Sequence, residues 1–284
     1  MITEHRARKV CFTAQRGFAS TRIRAFQVAG ALNADSFIYS FEKVKDYDVI
    51  VYVKYPVDAG EMRELRRMGK IQIVDPLDFY DFGALKKICG TIDGLIAASV
   101  THHIRLTKRF SLPCRCIPHH HSNFKEQRIE IRPGPGLKLG FVGDRKYRRQ
   151  NMFVKKITEN IVFDSLFEDL DKTYLSIDLG IAFRNVKDKT LYNSNVKLLN
   201  FMSYGIPSVV SPELSYFEIA NHGEHCLFAR SRADFMDTVR YLMNDFELRK
   251  RMSDKAFERA RENHIGKIAQ RYRNYFSDVF NIKV

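Results

Sequence analysis

The sequence predicts an α/β protein with two domains, each built from a parallel sheet covered by helices. Short β-rich runs alternate with helical patterns along most of the chain, which is how such a sheet reads in one dimension. The alternation is interrupted between Ser122 and Gly136, where polar residues lead into Arg132-Pro-Gly-Pro-Gly136. With 284 residues, 45% of them hydrophobic, the chain is long enough for two small domains that each have a core.

The first alternation runs from Val10 to Pro118. The β-rich run at 10–14 leads into a helical pattern at 21–33, in which apolar residues recur three and four positions apart. The same scheme then repeats toward Pro118. The further strands are expected at 36–41, 48–53, 71–75, 94–99 and 114–118, and the further helices at 59–68, 82–89 and 101–110.

The turn-rich end of the segment 122–136 cannot continue a helix or a sheet, so we interpret that segment as a linker. A second alternation follows it, with strands at 137–143, 174–183 and 207–211 and amphipathic helices at 246–262 and 265–279. We therefore expect an N-terminal domain over residues 1–130 and a C-terminal domain over 131–265. A last helix over 266–284 is expected to pack back on the N-terminal domain.

The chain is basic, because 47 Lys and Arg residues against 33 Asp and Glu residues give a net charge of +14. Such a surface attracts polyanions or anionic lipid headgroups. Five cysteines at irregular spacing, without a Cys-x-x-Cys pair, fit a reducing compartment. The charged start of the chain lacks the apolar region of a signal peptide, and no apolar run approaches the roughly 20 residues of a membrane span. We expect a cytoplasmic protein, either free or peripherally bound at the inner membrane face.

The segment from Asn193 to Ser211 carries the most informative pattern. Asn195 and its polar neighbours can cap a helix that Gly205 ends before a proline opens the next strand. Free backbone N–H groups at a helix N-terminus favour phosphate, and Lys197 adds a positive charge in the first turn. The pattern suits a diphosphate; taken alone, it also fits a capped core helix that leads into a buried strand.

The same segment and its continuation resemble the C-terminal domain of GT-B glycosyltransferases of the group-1, or family-4-like, set. That family carries Lys-Leu-x-Glu-Tyr-Met-Ala-x-Gly-x-Pro-Val-Val, followed by a Glu-Ile-Val-x-x-Gly loop. The similarity runs from about residue 137 to about residue 272. The matching positions are Lys197, Leu198, Met202, Gly205, Pro207, Glu218, Ile219 and Gly223.

The resemblance implies a GT-B fold, in which two Rossmann-like domains face each other across a cleft. It implies transfer of a sugar from a nucleotide-sugar, either a UDP-sugar or a GDP-sugar, to a hydroxyl acceptor, with no obligatory metal or other cofactor. The donor belongs to the C-terminal domain and the acceptor to the N-terminal domain. Cationic groups and a helix N-terminus would stabilise the negative charge that develops on the diphosphate leaving group.

Two positions depart from the family pattern. Many retaining members carry two glutamates eight positions apart, where this chain has Tyr192 and Asn200. The second glutamate usually holds the nucleotide ribose, and the amide of Asn200 can both donate and accept hydrogen bonds in that role. By resemblance, Glu218 also belongs to the donor site.

A glycine-containing loop at 140–146 is similar to the family's Gly-Arg-x-x-x-Lys phosphate loop. Gly143 permits close approach of the backbone, and Arg145 or Lys146 is placed to neutralise the departing diphosphate. Arg184, just past a predicted strand, is a further phosphate candidate. The alternative for the basic run that begins at Arg145 is a solvated face.

In the N-terminal half, the first strand-to-helix turn is similar to the acceptor-side glycine loop of these enzymes, with Arg16, Gly17 and Thr21 as its candidate residues. Asp75 and Asp78 lie at a strand end, where a carboxylate can take the acceptor hydroxyl's proton as a general base. The alternatives are an ordinary tight turn and an aspartate turn before proline.

The run His119-His-His121 raises the question of a metal site. Adjacent residues in an extended segment point in opposite directions, so three of them do not readily ligate one ion. We therefore expect no metal.

Other functions stay open. The replaced glutamates also fit a nucleotide- or polyanion-binding protein with impaired or no transferase activity. The net charge also fits nucleic-acid binding, including a DNA-directed glycosyltransferase. A basic helix with Arg63, Arg66, Arg67 and Lys70 would suit an anionic membrane that carries a lipid-linked acceptor. Glycan, lipid-linked and DNA acceptors are all compatible with the sequence.

Overall fold

A computed structural model describes residues 8–17, 20–54, 58–77, 82–164, 168–185 and 194–284. The chain forms two compact units. The first comprises Met1–His119 together with Ile265–Val284, and the second comprises His120–His264. The polar segment 122–136 therefore belongs to the second unit, and the last helix belongs to the first.

The first unit is built around six parallel strands. They are β1 (Val10–Ala14), β2 (Asp35–Ile38), β3 (Val49–Val53), β4 (Ile71–Asp75), β5 (Gly94–Ala97) and β6 (Cys114–Cys116). The strand order is β2-β1-β3-β4-β5-β6. All residues of β1 and β3 are buried, as expected for a parallel sheet that is covered on both faces.

Helices connect these strands. A π-helical segment (Thr21–Gln27) continues into α1 (Val28–Leu32), and α2 (Phe41–Val44), α3 (Ala59–Arg67), α4 (Phe82–Ile88) and α5 (Val100–Thr107) follow. Two of the connections show why the helices begin where they do. The Asp58 carboxylate accepts hydrogen bonds from the first turn of α3, and the Ser99 hydroxyl accepts one from the backbone of α5. Such caps satisfy backbone N–H groups that have no partner within the helix.

The second unit contains five parallel strands. They are β7 (Leu139–Val142), β8 (Ile161–Asp164), β9 (Leu179–Ala182), β10 (Ser208–Val210) and β11 (Leu227–Phe228), in the order β11-β10-β9-β7-β8. Its helices are α6 (Arg145–Asn151), a 3-10 turn (Met152–Lys156), α7 (Leu170–Leu175), α8 (Val196–Ser203), α9 (Leu214–Phe217), α10 (Arg232–Asn244), α11 (Phe246–Ala260) and a second 3-10 turn (Arg261–Asn263). β8 lies on one side of β7 and β9 on the other, so the direction of winding reverses between β7 and β9.

The strand predicted at 174–183 is wrong over its first residues. Asp169 caps a short helix there by accepting a hydrogen bond from the Lys172 amide, and α7 ends only at Leu175. The strand β9 begins after a turn. An apolar run that crosses a helix end and a strand start looks continuous in the sequence.

The last helix, α12 (Ile265–Phe280), packs into the core of the first unit. Its Tyr272 and Phe276 rings lie 5.6 and 6.4 Å from the ring of Phe12 on β1. The buried residues of this helix are Ile268, Ala269, Tyr272, Tyr275 and Phe276. None of the helices in the described residues combines the length and apolar character that crossing a bilayer requires.

Candidate functional site

The carboxyl ends of β7 and β9 form the most distinctive polar region of the second unit. Gly143 follows β7 directly, Arg184 lies two positions after β9, and α8 starts shortly afterwards. In doubly wound sheets, ligands bind outside the carboxyl ends of the strands at the point where the winding reverses. The residues gathered here are therefore the candidates for ligand binding.

Lys197 lies against aromatic rings at this edge. Its Nζ is 4.1 Å from the centroid of the Phe141 ring and 5.7 Å from that of Tyr147. A Cβ atom at position 143 would come within 2.7 Å of the same Nζ, so the glycine makes room for the ammonium group. The sequence predicts that Gly143 allows another group to approach the backbone closely. In the structure, the group that approaches it is the Lys197 side chain.

The environment of Lys197 disfavours its positive charge. Burial lowers the pKa of the ammonium group to about 7, and the nearby Arg184 guanidinium acts in the same direction. Glu213 and Asp144 act in the opposite direction. Within the described residues, the ammonium has no hydrogen-bond or ion-pair partner. An anion bound at this position would stabilise the charged form and would itself be stabilised.

Arg184 contributes a second cation beside the same aromatic ring. The central carbon of its guanidinium lies 4.3 Å from the Tyr147 ring centroid, and one terminal nitrogen donates to Glu213 Oε2 at 3.1 Å. Its backbone N–H donates to Ser211 Oγ at 2.7 Å. Arg184, in the loop after β9, and Lys197, in the first turn of α8, therefore lie beside the same ring and are together called the cation pair.

Asn195 is the residue immediately before α8 and is fully buried. Its side chain does not cap the helix, and neither its Oδ1 nor its Nδ2 atom has a hydrogen-bond partner among the described residues. A buried amide without partners costs free energy unless a further group satisfies it. Together with the first N–H groups of α8, it offers polar contacts at the same end of the helix as Lys197.

Other predicted donor residues have different surroundings. Asn200 Oδ1 accepts a hydrogen bond from the backbone of Ser122 at 2.9 Å, and the Asn200 side chain also bonds to the Tyr174 hydroxyl. The amide expected to hold a ribose is thus engaged inside the unit. Glu218 is half-buried at the C-terminal end of α9, and its carbonyl accepts a hydrogen bond from Arg259 at 3.4 Å.

Arg145 and Lys146 form the start of α6, directly after Gly143 and Asp144. The described part of the structure includes their backbone, and their side chains lie outside it. Their backbone lies at the carboxyl end of β7, where the sequence predicts a phosphate-binding loop.

In the first unit, the predicted acceptor-side loop follows β1. Gly17 has a positive φ of 84°, a conformation that glycine adopts at little cost. Thr21 is buried and donates its hydroxyl hydrogen to the Gln15 carbonyl at 2.5 Å, while Arg16 is exposed. The loop thus presents Arg16 to solvent and anchors Thr21 in the fold.

Asp75 does not fit the role of general base. It has no exposed surface, and one carboxylate oxygen is held by two nitrogens of Arg24 at 2.6 and 2.8 Å. The other oxygen accepts from the Leu77 amide at 3.4 Å. A buried carboxylate with both oxygens engaged offers no position for an acceptor hydroxyl. Asp78, the second candidate base, lies outside the described residues.

Arg24 was not singled out by the sequence pattern. It also donates to the carbonyls of Ile117 and Pro118 at 2.8 and 2.9 Å. Since these carbonyls follow β6 and Asp75 ends β4, the Arg24–Asp75 pair ties the first helix to two strands of the sheet.

The residues of the histidine run are all buried. His120 Nδ1 lies 2.9 Å from the His121 carbonyl, and the His121 ring lies 5.6 Å from that of His264. Burial, followed by the proximity of His264 and His120, lowers the pKa of His121 to about 3. Among the residues that the structure describes, no group of three His, Cys, Asp or Glu side chains is arranged to hold a metal ion.

Two parallel-sheet α/β units are the architecture of GT-B glycosyltransferases. The family model described as glycosyl transferase-like matches residues 132–276, just over half of the chain. The chain belongs to this glycosyltransferase family.

Solved structures give the same fold. HepE from Anabaena, in complex with UDP and glucose, aligns with a TM-score of 0.70 at 10% identity over 95% of this chain and 99% of its own. Sucrose-phosphate synthase from Thermosynechococcus elongatus aligns with a TM-score of 0.67 at 11% identity, covering 96% and 100%. The lipopolysaccharide outer core galactosyltransferase WaaB, in its apo form, aligns at 0.62 and 11% identity, covering 95% and 99%. No curated protein matches the sequence.

Proposed function

We propose that the protein transfers a sugar from a nucleotide-sugar, in the first instance a UDP-sugar, to a hydroxyl acceptor. The observation that carries this proposal is the cation pair at the carboxyl ends of β7 and β9, where Lys197 and Arg184 lie beside Tyr147. The HepE relative was solved with UDP-glucose as well as with UDP, which supports UDP as the first nucleotide to test. A GDP-sugar is the comparator.

In the proposed reaction, the bond between the anomeric carbon and the terminal phosphate oxygen breaks, and its electron pair leaves with the nucleoside diphosphate. Lys197 and Arg184 stabilise the negative charge that develops there, an effect that is strong in a partly desolvated site. The N-terminal end of α8, Asn195, and the loop from Gly143 to Lys146 supply further contacts to the diphosphate.

The acceptor hydroxyl forms the new bond to the anomeric carbon and loses its proton. Since Asp75 is committed to Arg24, Asp78 is the proposed proton acceptor. Arg16, Gly17 and Thr21 are proposed to contact the acceptor. These assignments rest on the family pattern and on the position of both loops after strands of the first sheet.

Removing the Lys197 ammonium tests the donor site. Lys197→Ala should weaken UDP-glucose binding about 10- to 100-fold, because a hydrogen bond to a charged group contributes about 1.5–3 kcal/mol. Isothermal titration at pH 6.5 measures the affinity while the wild-type ammonium is mostly protonated. Lys172→Ala, an exposed lysine of α7 in the same unit, is the matched control and should bind like the wild type. Equal affinities of all three proteins would refute the assignment.

For the acceptor, we propose a glycan, since the WaaB relative is named for the lipopolysaccharide outer core. The alternatives are a DNA acceptor, which the net charge of +14 suggests, and a lipid-linked acceptor in an anionic membrane, which the basic helix α3 suggests with Arg63, Arg66 and Arg67 exposed. One of these, Arg66, is paired with Asp93 at 2.9 Å. Sedimentation with phosphatidylglycerol vesicles at low salt tests the membrane contact, and a DNA-binding titration at low salt tests the DNA acceptor. Absence of binding in an assay removes the alternative that it tests.

A further inference from the structure

A buried carboxylate lies next to the cation pair. Glu213 follows β10, and its side chain is only 2% exposed. A charge in such a position is strongly destabilising unless partners compensate it. Its partners are the Arg184 guanidinium, at 3.1 Å, and the Tyr216 hydroxyl, to which it is hydrogen-bonded. The contacts with Arg184 and Tyr216 therefore stabilise the Glu213 carboxylate in its buried position.

Arg184 is held from three directions. Glu213 fixes one end of the guanidinium, Tyr147 covers its face at 4.3 Å, and Ser211 accepts the backbone N–H. Ser211 and Glu213 are both in the turn after β10, so this one turn sets the position of both the backbone and the side chain of Arg184. A guanidinium oriented in this way needs little rearrangement to meet an anion.

The positive charges of Lys197 and Arg184 repel each other, so a nearby negative charge is needed to stabilise the cation pair. The groups that act on Lys197 are Arg184 after β9, Glu213 after β10 and Asp144 after β7, and the aromatic ring of Tyr147 on α6 lies 5.7 Å away. The side chains of Arg145 and Lys146 lie outside the described residues. Glu213 is the buried acid of this set and touches Arg184 directly, whereas Asp144 is exposed.

We propose that Glu213 is a positioning residue of the diphosphate site, which holds Arg184 against Tyr147 and supplies the negative charge that keeps both members of the cation pair in place without a ligand. The inference rests on the proposed function for the identity of that ligand. Glu213 acts through Arg184 and Lys197 and is not itself placed against the nucleotide.

The pH dependence of UDP-glucose binding tests this role. The diphosphate of this probe carries the same charge from pH 5.5 to 9, so the titration reports on the protein. Wild-type affinity should be constant at low pH and fall above about pH 7, where free Lys197 loses its proton. Glu213→Gln removes the compensating charge, so the fall should begin at lower pH. We call the pH at which the affinity has fallen to half of its low-pH value the midpoint. If the midpoint of Glu213→Gln lies about one pH unit below that of the wild type, its affinity at pH 7.5 should be about 10-fold weaker than that of the wild type.

The expected signs distinguish an electrostatic role from a damaged fold. Glu213→Gln moves the midpoint of the fall to lower pH, whereas Arg184→Met moves it to higher pH, because it removes a like charge. Glu258→Gln, an exposed glutamate of α11, is the matched control and keeps the wild-type midpoint. A wild-type midpoint in Glu213→Gln overturns the proposal.

Two further measurements cover the remaining outcomes. If Glu213→Gln does not fold, Glu213→Asp replaces it as the test variant. Because Glu213→Asp keeps the negative charge, its midpoint should equal that of the wild type while its affinity is lower at every pH. A shifted midpoint in Glu213→Asp overturns the proposal. An NMR titration of the lysine side-chain nitrogens in the ligand-free protein gives the Lys197 pKa without nucleotide. If UDP-glucose and GDP-mannose fail to bind the wild type at any pH, the proposed function fails, while this titration still supports or overturns the role of Glu213.

Discussion

At the scale of single residues, the chain places charged side chains in positions that only their partners make tolerable. Asp75 and Arg24 form such a pair in the first unit, and Glu213 and Arg184 form another in the second. The sequence marks Asp75 and Arg184 because both lie at the carboxyl ends of strands. It does not mark Arg24 or Glu213, because a contact between residues 51 or 29 positions apart depends on how the strands are ordered.

The Arg24–Asp75 pair yields a stability prediction. Asp75→Asn should lower the free energy of unfolding of the first unit by about 3–5 kcal/mol, since it leaves the buried Arg24 cation uncompensated. Urea denaturation followed by circular dichroism measures the change. Glu159→Gln breaks the exposed pair with Lys155, at 3.3 Å, and should cost less than about 1 kcal/mol. Similar losses in the two variants would contradict a structural role for Asp75.

At the scale of elements, the positions of the strands were more predictable than their ends. β1 and β4 occur at the predicted positions 10–14 and 71–75, whereas β5 ends at Ala97 and β7 spans only Leu139–Val142, inside their predicted ranges 94–99 and 137–143. The edge strand β8 is only half-buried along its length, so four residues of modest pattern did not stand out. Gly205 ends α8 as predicted, with a positive φ of 67° that allows the chain to turn into β10.

The packing of α8 on β9 depends on one missing side chain. A Cβ atom at Gly180 would lie 2.7–2.8 Å from three carbons of the Phe201 ring, in the core. Gly180→Ala should therefore lower the free energy of unfolding by about 1–3 kcal/mol through overpacking.

Gly30 in α1 is the matched control for this substitution. A Cβ atom there meets nothing within 4 Å, so Gly30→Ala should raise stability by up to about 1 kcal/mol through helix propensity. Thermal unfolding of both variants checks the prediction. Equal shifts of the two melting temperatures would show that a Cβ atom at position 180 does not disturb the packing of α8 on β9.

At the scale of the whole molecule, the first unit is discontinuous in sequence. Residues up to His119 and those from Ile265 onward share one core, with the second unit inserted between them. The periodicity of 265–279 predicts an amphipathic helix, but the pattern carries no information on which core receives its apolar face. The packing of side chains determines it, because the Phe12 ring on β1 contacts the rings of Tyr272 and Phe276.

The stability of β1 should therefore depend on a helix more than 250 residues further along the chain. Phe276 is fully buried, and Phe276→Ala should destabilise the first unit by about 3–5 kcal/mol, because the side chain leaves a cavity against Phe12 and Tyr275. Native-state hydrogen exchange of the β1 and α1 amides measures the loss as faster exchange. Tyr241→Ala truncates an aromatic ring that is 56% exposed on α10 and should leave those amides unchanged. If the β1 amides of Phe276→Ala exchanged at the wild-type rate, the last helix would not be part of the first unit's cooperative core.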